Sequence, residues 1–181
     1  MNWVYIHLLI NHVPVILGGL AAFVAIVAII SGRRMAWLYT AITLTLAGLS
    51  AYPTSFSGDH AQRIFRQREP SAREAIRAHR EAADVTQWIL LGAGVLGIVG
   101  WYRIGSDDPK APVPGWVKVT LALPALVSLG AVSITSERGG KIGHQPWETS
   151  FTAPPLLSTD STIKLRPATP TPADTTNATK H

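Results

Sequence analysis

Cysteine is absent from this chain of 181 residues. Disulfides, thiolate metal sites, iron–sulfur clusters and covalent c-type haem attachment are therefore excluded within it. A bound metal would have to be held by histidine, carboxylate or methionine. Catalytic signatures are also lacking, because there is no Gly-x-Ser-x-Gly elbow and no glycine-rich phosphate loop after a strand. Hydrolytic and nucleotide-dependent activities are disfavoured.

Charge is scarce and unevenly placed. Only 15% of the residues are charged, whereas 47% are hydrophobic and are gathered in long blocks. This pattern is typical of a multi-pass membrane protein. The net charge of +5 does not predict a nucleic-acid binder, since no Lys/Arg stripe is interleaved with aromatic residues on a soluble domain. Lipid headgroups are the expected partners of the arginines.

Four apolar blocks predict an all-α fold, a four-helix transmembrane bundle over residues 1–144. The first block has no Lys or Arg before Arg33, unlike a signal peptide, so we expect it to be retained. Pro124 is expected as a tolerated kink and Gly139-Gly140 as the end of the fourth span. The predicted spans cover residues 3–30, 35–56, 85–102 and 116–135. Ala93 and Gly97 would allow close helix approach or make room for a flat cofactor.

A charged connector, residues 57–84, joins the second and third spans. We expect it to lie at the membrane interface as a polar helix over 59–68, a break at Glu69-Pro70-Ser71, and a helix from Ala72 that continues into the third span. Residues 145–181 are rich in Pro and Thr and lack apolar periodicity. They are predicted to form an extended tail.

Histidine is concentrated on one side of the predicted bundle. Alternating spans place His12, His60, His79 and His144 on the same side, and the loops of the opposite side have none. Imidazole is a good ligand for iron, and a b-type haem needs two such ligands from facing helices. We rank His12 and His79 first as haem iron ligands, His60 and His144 next, and His7 last.

Charged neighbours could complete such a site. Asp59 and Asp84 could accept hydrogen bonds from the imidazoles and so orient them. Haem propionates prefer cations near the interface, which several arginines could provide: Arg63, Arg77, Arg80 and Arg138. The plain alternative is a solvated pair of surface helices whose histidines bind only lipid headgroups.

Four short motifs carry the histidines. They are His7-Leu-Leu-Ile-Asn-His12-Val-Pro14, Ser57-Gly58-Asp59-His60-Ala61, Ile76-Arg77-Ala78-His79-Arg80-Glu81-Ala82-Ala83 and Gly139-Gly140-Lys141-Ile142-Gly143-His144. In this order they resemble a bacterial domain-of-unknown-function family of four-helix membrane proteins, over about residues 1–145. Leu8 replaces the proline that usually follows the first histidine, and Ile142-Gly143 replaces an aromatic residue.

The resemblance implies a function and an orientation. Such proteins resemble small b-type cytochromes, and similar modules precede c-type cytochrome domains. The resemblance therefore implies a bacterial inner-membrane protein whose histidine side and tail face the periplasm. The number of Lys and Arg residues in the connector and tail favours the opposite orientation.

Three functions stay open. The preferred hypothesis is a b-type cytochrome-like electron-transfer subunit with one or two b haems, which exchanges electrons with a quinone, a c-type cytochrome or other membrane subunits. The alternative is a non-catalytic structural or accessory subunit of a larger respiratory or photosynthetic complex, with its tail bound to a neighbour. A membrane protein that handles copper or a divalent metal is the third. A stand-alone enzyme is not favoured, and no catalytic residue is assigned.

Overall fold

The computed structural model describes the backbone of residues 3–68, 73–106, 108 and 110–150, and the side chains of 3–64, 73–106, 108 and 110–142. The regular elements in these ranges are all α-helices. They are α1 (Trp3–Ile10), α2 (His12–Ser31), α3 (Arg34–Arg68), α4 (Arg73–Ser106) and α5 (Gly115–Ser150). With α1 and α2 counted as one span, 4 helices are long and apolar enough to cross a membrane. The predicted all-α fold with four long apolar helices is confirmed.

Helices α2 to α5 enclose a core of small and aliphatic side chains. Alanine predominates on α2 and α3, and larger aliphatic residues such as Val117 and Leu121 fill the space from α5. Large apolar side chains point outward instead, as expected of helices surrounded by lipid. Examples at more than half exposure are Ile16 (66%), Phe23 (64%), Leu49 (65%), Trp88 (73%) and Leu123 (61%).

Glycines bring the backbones of α3 and α4 into contact. A Cβ built on Gly48 would lie 2.8 Å from the Cα of Gly94, and one built on Gly97 would lie 2.7 Å from the carbonyl oxygen of Ala41. A larger side chain at either glycine would force the helices apart. Ala93 is also buried in this contact region. Of the two predicted uses of Gly97, close helix approach is therefore the one that the structure supports.

The first span is broken at Asn11, between α1 and α2. Pro14 has no N–H, so it cannot donate to the carbonyl of Ile10 as an ordinary helical residue would. The hydroxyl of Thr54 on α3 lies 3.4 Å from that carbonyl oxygen, but its hydrogen has a closer acceptor in the carbonyl of Ser50, at 2.8 Å. The neighbouring helix therefore compensates for the break only weakly.

The predicted connector agrees with the structure in its helices. The helix α3 continues through Pro53 and Gly58 to Arg68, and α4 is already helical from Arg73 and runs on into the third apolar block. The burial of this segment was not predicted, since Ala61 is only 3% exposed and Ile76 only 4% exposed. Both helices of the segment therefore pack into the bundle. A proline within a packed helix is tolerated when neighbouring helices compensate for the lost hydrogen bond.

Two other predicted boundaries can be compared with the structure. The fourth helix does not end at Gly139-Gly140, because α5 runs on to Ser150. The packed unit reaches Pro146. The rest of the predicted tail beyond residue 150, and the predicted break at Glu69-Pro70-Ser71, lie outside the described residues.

The α3–α4 contact yields a test of the fold. We expect Gly48→Ala to lower the free energy of unfolding by about 1–3 kcal/mol, because the added methyl group has no room beside Gly94. The matched control is Gly92→Ala on α4, where a Cβ meets no atom within 4 Å. This control should leave stability unchanged or raise it by about 0.5–1 kcal/mol. The free energy of unfolding of both variants is measured in mixed detergent micelles by circular dichroism. An equal loss of stability in Gly48→Ala and Gly92→Ala would contradict the close contact of Gly48 with Gly94.

Candidate functional site at the histidine end of the bundle

The start of α1, the end of α3, the start of α4 and the end of α5 meet at one end of the bundle. Contacts between them include Trp3 stacked on His60, with ring centroids 4.6 Å apart. His79 of α4 hydrogen-bonds to the carbonyl of Thr135 on α5. We call this region the histidine end. His60 and His79 lie at this end of the bundle, and so does His7, which the sequence ranked last among the candidates.

His7 is held across helices by a hydrogen bond with a defined direction. Its Nδ1 lies 3.1 Å from the Oγ of Ser57, and that hydroxyl in turn donates to the carbonyl of Thr54 at 2.8 Å. Since the hydroxyl hydrogen is already used, Nδ1 of His7 must carry a proton and donate it to Ser57. In the neutral ring Nε2 then keeps its lone pair.

His79 adopts the same tautomer. Its Nδ1 lies 3.0 Å from the carbonyl oxygen of Thr135, which can only accept. Nδ1 is therefore the protonated nitrogen, and Nε2 is the one that could bind a metal.

A glycine from the facing helix makes room for each of these two rings. A Cβ on Gly58 would lie 3.0 Å from Cε1 of His7, and a Cβ on Gly139 would lie 3.0 Å from Cε1 of His79. Both imidazoles are half-buried. His7 and His79 thus form a pair of fixed rings at the histidine end.

The other described histidines hydrogen-bond within their own span. His12 is exposed, and its Nδ1 donates to the carbonyl of Leu8, 3.1 Å away within its own first span. His60 donates to the carbonyl of Phe56 on its own helix at 2.9 Å, and its ring packs against Trp3 and Phe56. The backbone of His144 lies in α5, and its side chain lies outside the described residues. Of the described histidines, His7 and His79 are therefore the two that hydrogen-bond to another helix.

The predicted partners of the histidines bind an arginine instead. Arg80 of α4 forms an ion pair with Asp59 of α3 at 2.9 Å and a longer one with Asp84 at 3.7 Å. It also donates to the side-chain oxygen of Gln62 at 2.7 Å. The prediction that Asp59 and Asp84 orient the imidazoles is wrong, because backbone carbonyls and the Ser57 hydroxyl do so. Arg63 is exposed on α3.

A site with three or more protein ligands is not formed by the described side chains. No group of three or more His, Asp or Glu residues among them converges to hold a metal ion. What the described part of the histidine end supplies is a pair of imidazoles. Two axial nitrogens are the number that a b-type haem takes from a protein.

Comparison of the chain with family models, with curated proteins and with solved structures finds no match.

The sequence contains one signal of these ring positions. Ser57-Gly58 and Gly139-Gly140 each combine a glycine with a position on the histidine side. Gly139-Gly140 was predicted to end the fourth span, whereas Gly58 and Gly139 are the surfaces on which His7 and His79 rest. A glycine in the interior of a long helix often marks a close neighbour.

The bridge between α3 and α4 at the histidine end can be tested with a matched pair of arginines. We expect Arg80→Ala to lower the free energy of unfolding by about 0.5–1 kcal/mol, since it removes an ion pair that links two helices. Arg77→Ala is the control, because both acidic partners of Arg77, Glu74 and Glu81, lie on its own helix. Denaturant titration of both variants at low salt makes the comparison, and an equal loss for Arg77→Ala would contradict the bridging role.

Proposed function

We propose that this chain is an integral membrane, b-type cytochrome-like electron carrier in which His7 and His79 hold the haem. The single observation that carries the proposal is the shared state of these two imidazoles. Each donates its Nδ1 hydrogen to another helix and keeps the lone pair of Nε2. The assignment replaces the pairs expected from the sequence, of which only His79 remains.

The hydrogen bonds of the pair suit axial ligation. Histidines that bind metals almost always donate their other ring N–H to a carbonyl, a carboxylate or water, which fixes the tautomer and the ring orientation. Thr135 and Ser57 perform this role for His79 and His7. Because both acceptors are uncharged, the imidazoles would remain neutral and the site would gain no negative charge from them.

The surroundings of the pair also suit a haem. Spans of high mean hydropathy, 2.8 for the first and 1.9 for the last, provide apolar walls. Cations for propionates lie near His79: Arg138 donates to the carbonyl of Ala78 at 3.2 Å, and Arg80 directly follows His79 in α4. Arg80 is already bound to Asp59, so Arg138 is the better candidate of the two.

When bound, a b haem supplies a reversible one-electron couple whose potential depends on its ligands, burial and nearby charge. The residues of this chain hold the Nδ1 protons, keep the rings in place through the two glycine contacts and exclude water with the helix walls. We further propose a bacterial inner membrane, with the histidine end at the periplasmic face. A quinone, a c-type cytochrome or another membrane subunit would be the electron partner.

A visible spectrum tests the proposal. We expect the protein, extracted from membranes in mild detergent, to show b-type bands in the dithionite-reduced minus oxidised spectrum and a haem b signature after pyridine extraction. His7→Ala and His79→Ala should each abolish low-spin ligation, because each removes one axial nitrogen. His12→Ala and His60→Ala are the matched controls and should retain the bands.

Loss of folding is separated from loss of ligation by two further measurements. Circular dichroism reports the helix content of each variant, and added imidazole should restore the low-spin spectrum of His79→Gly if the ring is a ligand. A wild-type protein that remains in the membrane after a carbonate wash but carries no haem would overturn the cytochrome assignment. That outcome would favour the accessory-subunit hypothesis. If the haem bands were lost in His12→Ala or His60→Ala, the assignment of His7 and His79 as ligands would be overturned, but the cytochrome proposal would stand.

A further inference from the structure

An apolar groove lies at the end of the bundle opposite the histidines. It is formed between the end of α2, the start of α3 and the start of α5, with a volume of about 280 Å³. Its walls include Ala28, Ile29, Val119 and Ala122, and Lys118 lines the same groove. A groove with aliphatic walls and one ammonium group suits a ligand that has both an apolar chain and an anion.

The position of the groove along the helices indicates the depth of such a ligand. Lys118 lies in the first turn of α5, and Trp37 lies in the first turn of α3. Gly32 ends α2 in the left-handed conformation, with φ of 63°, and no atom lies within 4 Å of the place where its Cβ would be. The groove is therefore open where the spans end, at the level of lipid headgroups.

Charge at this end favours an anion. The described charged residues there are the acid Asp108 and the bases Arg33, Arg34, Arg103, Lys110 and Lys118. Arg34 donates to the carbonyls of Ile104 and Ala111, and Arg103 lies over the ring of Trp116. Lys118 is half-buried at the groove.

One wall of the groove contains Trp37, which is only 2% exposed. Its indole nitrogen has no hydrogen-bond acceptor among the described residues and is itself covered by protein atoms. The indole N–H is therefore out of reach of a ligand in the groove, and Lys118 is the charged group that such a ligand would contact.

We propose that this groove binds an anionic phospholipid, with an acyl chain along Ala28 and Ala122 and the phosphate group at Lys118. The inference rests on the proposed membrane location and is independent of the haem. Basic pockets between spans are typical sites for anionic headgroups. A zwitterionic lipid has the same phosphate but also a compensating ammonium group, so a preference for the anionic lipid measures the effect of net charge at Lys118.

Native mass spectrometry of the delipidated, detergent-solubilised full chain tests the proposal. Dioleoyl phosphatidylglycerol is titrated against dioleoyl phosphatidylcholine, and bound lipids are counted. We expect the wild-type chain to bind the anionic lipid more tightly, and Lys118→Gln to weaken that binding by about fivefold. Lys110→Gln, in the exposed loop before α5, is the charge-matched control and should bind as the wild type does. Lys118→Arg should retain binding.

A steric variant tests the acyl-chain part separately. Ala122→Leu fills the groove without changing charge and should weaken binding of the anionic lipid, while helix content stays unchanged. Equal losses for Lys110→Gln and Lys118→Gln, or equal binding of the two lipids, would overturn the proposal. Displacement of the lipid by inorganic phosphate at millimolar concentration would show an anion site without a lipid chain and would also overturn it. A chain that carries no haem but passes these tests would still possess the lipid site.

Discussion

The backbone contact of α3 with α4 at Gly48 and Gly94 determines which residues meet at both ends of the bundle. The two helices run in opposite directions, so residues at similar distances on either side of this contact become neighbours. On one side Arg80 reaches Asp59, and on the other side Arg34 reaches the carbonyl of Ile104. A shift of the contact by one turn would separate both pairs, because each turn displaces the helices by about 5.4 Å.

Polar groups within these helices find acceptors on neighbouring backbones. Thr86 of α4 lies 3.1 Å from the carbonyl of Ala131 and 2.8 Å from the hydroxyl of Thr135 on α5. One turn toward the histidine end, the carbonyl of Thr135 accepts from His79. An unpaired polar group is costly in an apolar environment, so these hydrogen bonds hold α5 in place against α4. The orientation of the imidazole follows from helix packing and needs no charged partner.

Hydropathy alone was enough to predict the number and order of the spans, because four apolar blocks separated by polar turns allow few other folds. It could not predict that α3 continues without a break from the second apolar block into the helix predicted over 59–68. The inner face of residues 57–64 is polar or small in sequence, and it is buried only because other helices cover it. Ser57 illustrates this, since it is 2% exposed and binds His7 of a distant segment. The one-sided arrangement of histidines followed from span alternation, whereas the partial burial of His7 and the exposure of His12 depend on rotation about helix axes. That rotation is set by tertiary contacts such as Gly58 against His7.

The two ends of the bundle differ in how their cations are neutralised. At the histidine end, arginine and lysine side chains have carboxylate partners within the protein: Arg77 with Glu81, Arg80 with Asp59 and Lys141 with Glu137. At the groove end the described acid is Asp108, and its carboxylate accepts from the backbone N–H of Lys110. Three cations at the histidine end are therefore neutralised within the protein, and they contribute less to the attraction of an anionic leaflet than their number suggests. Paired arginines also explain how a simple count of Lys and Arg can favour the other orientation, since that count gives no weight to their partners.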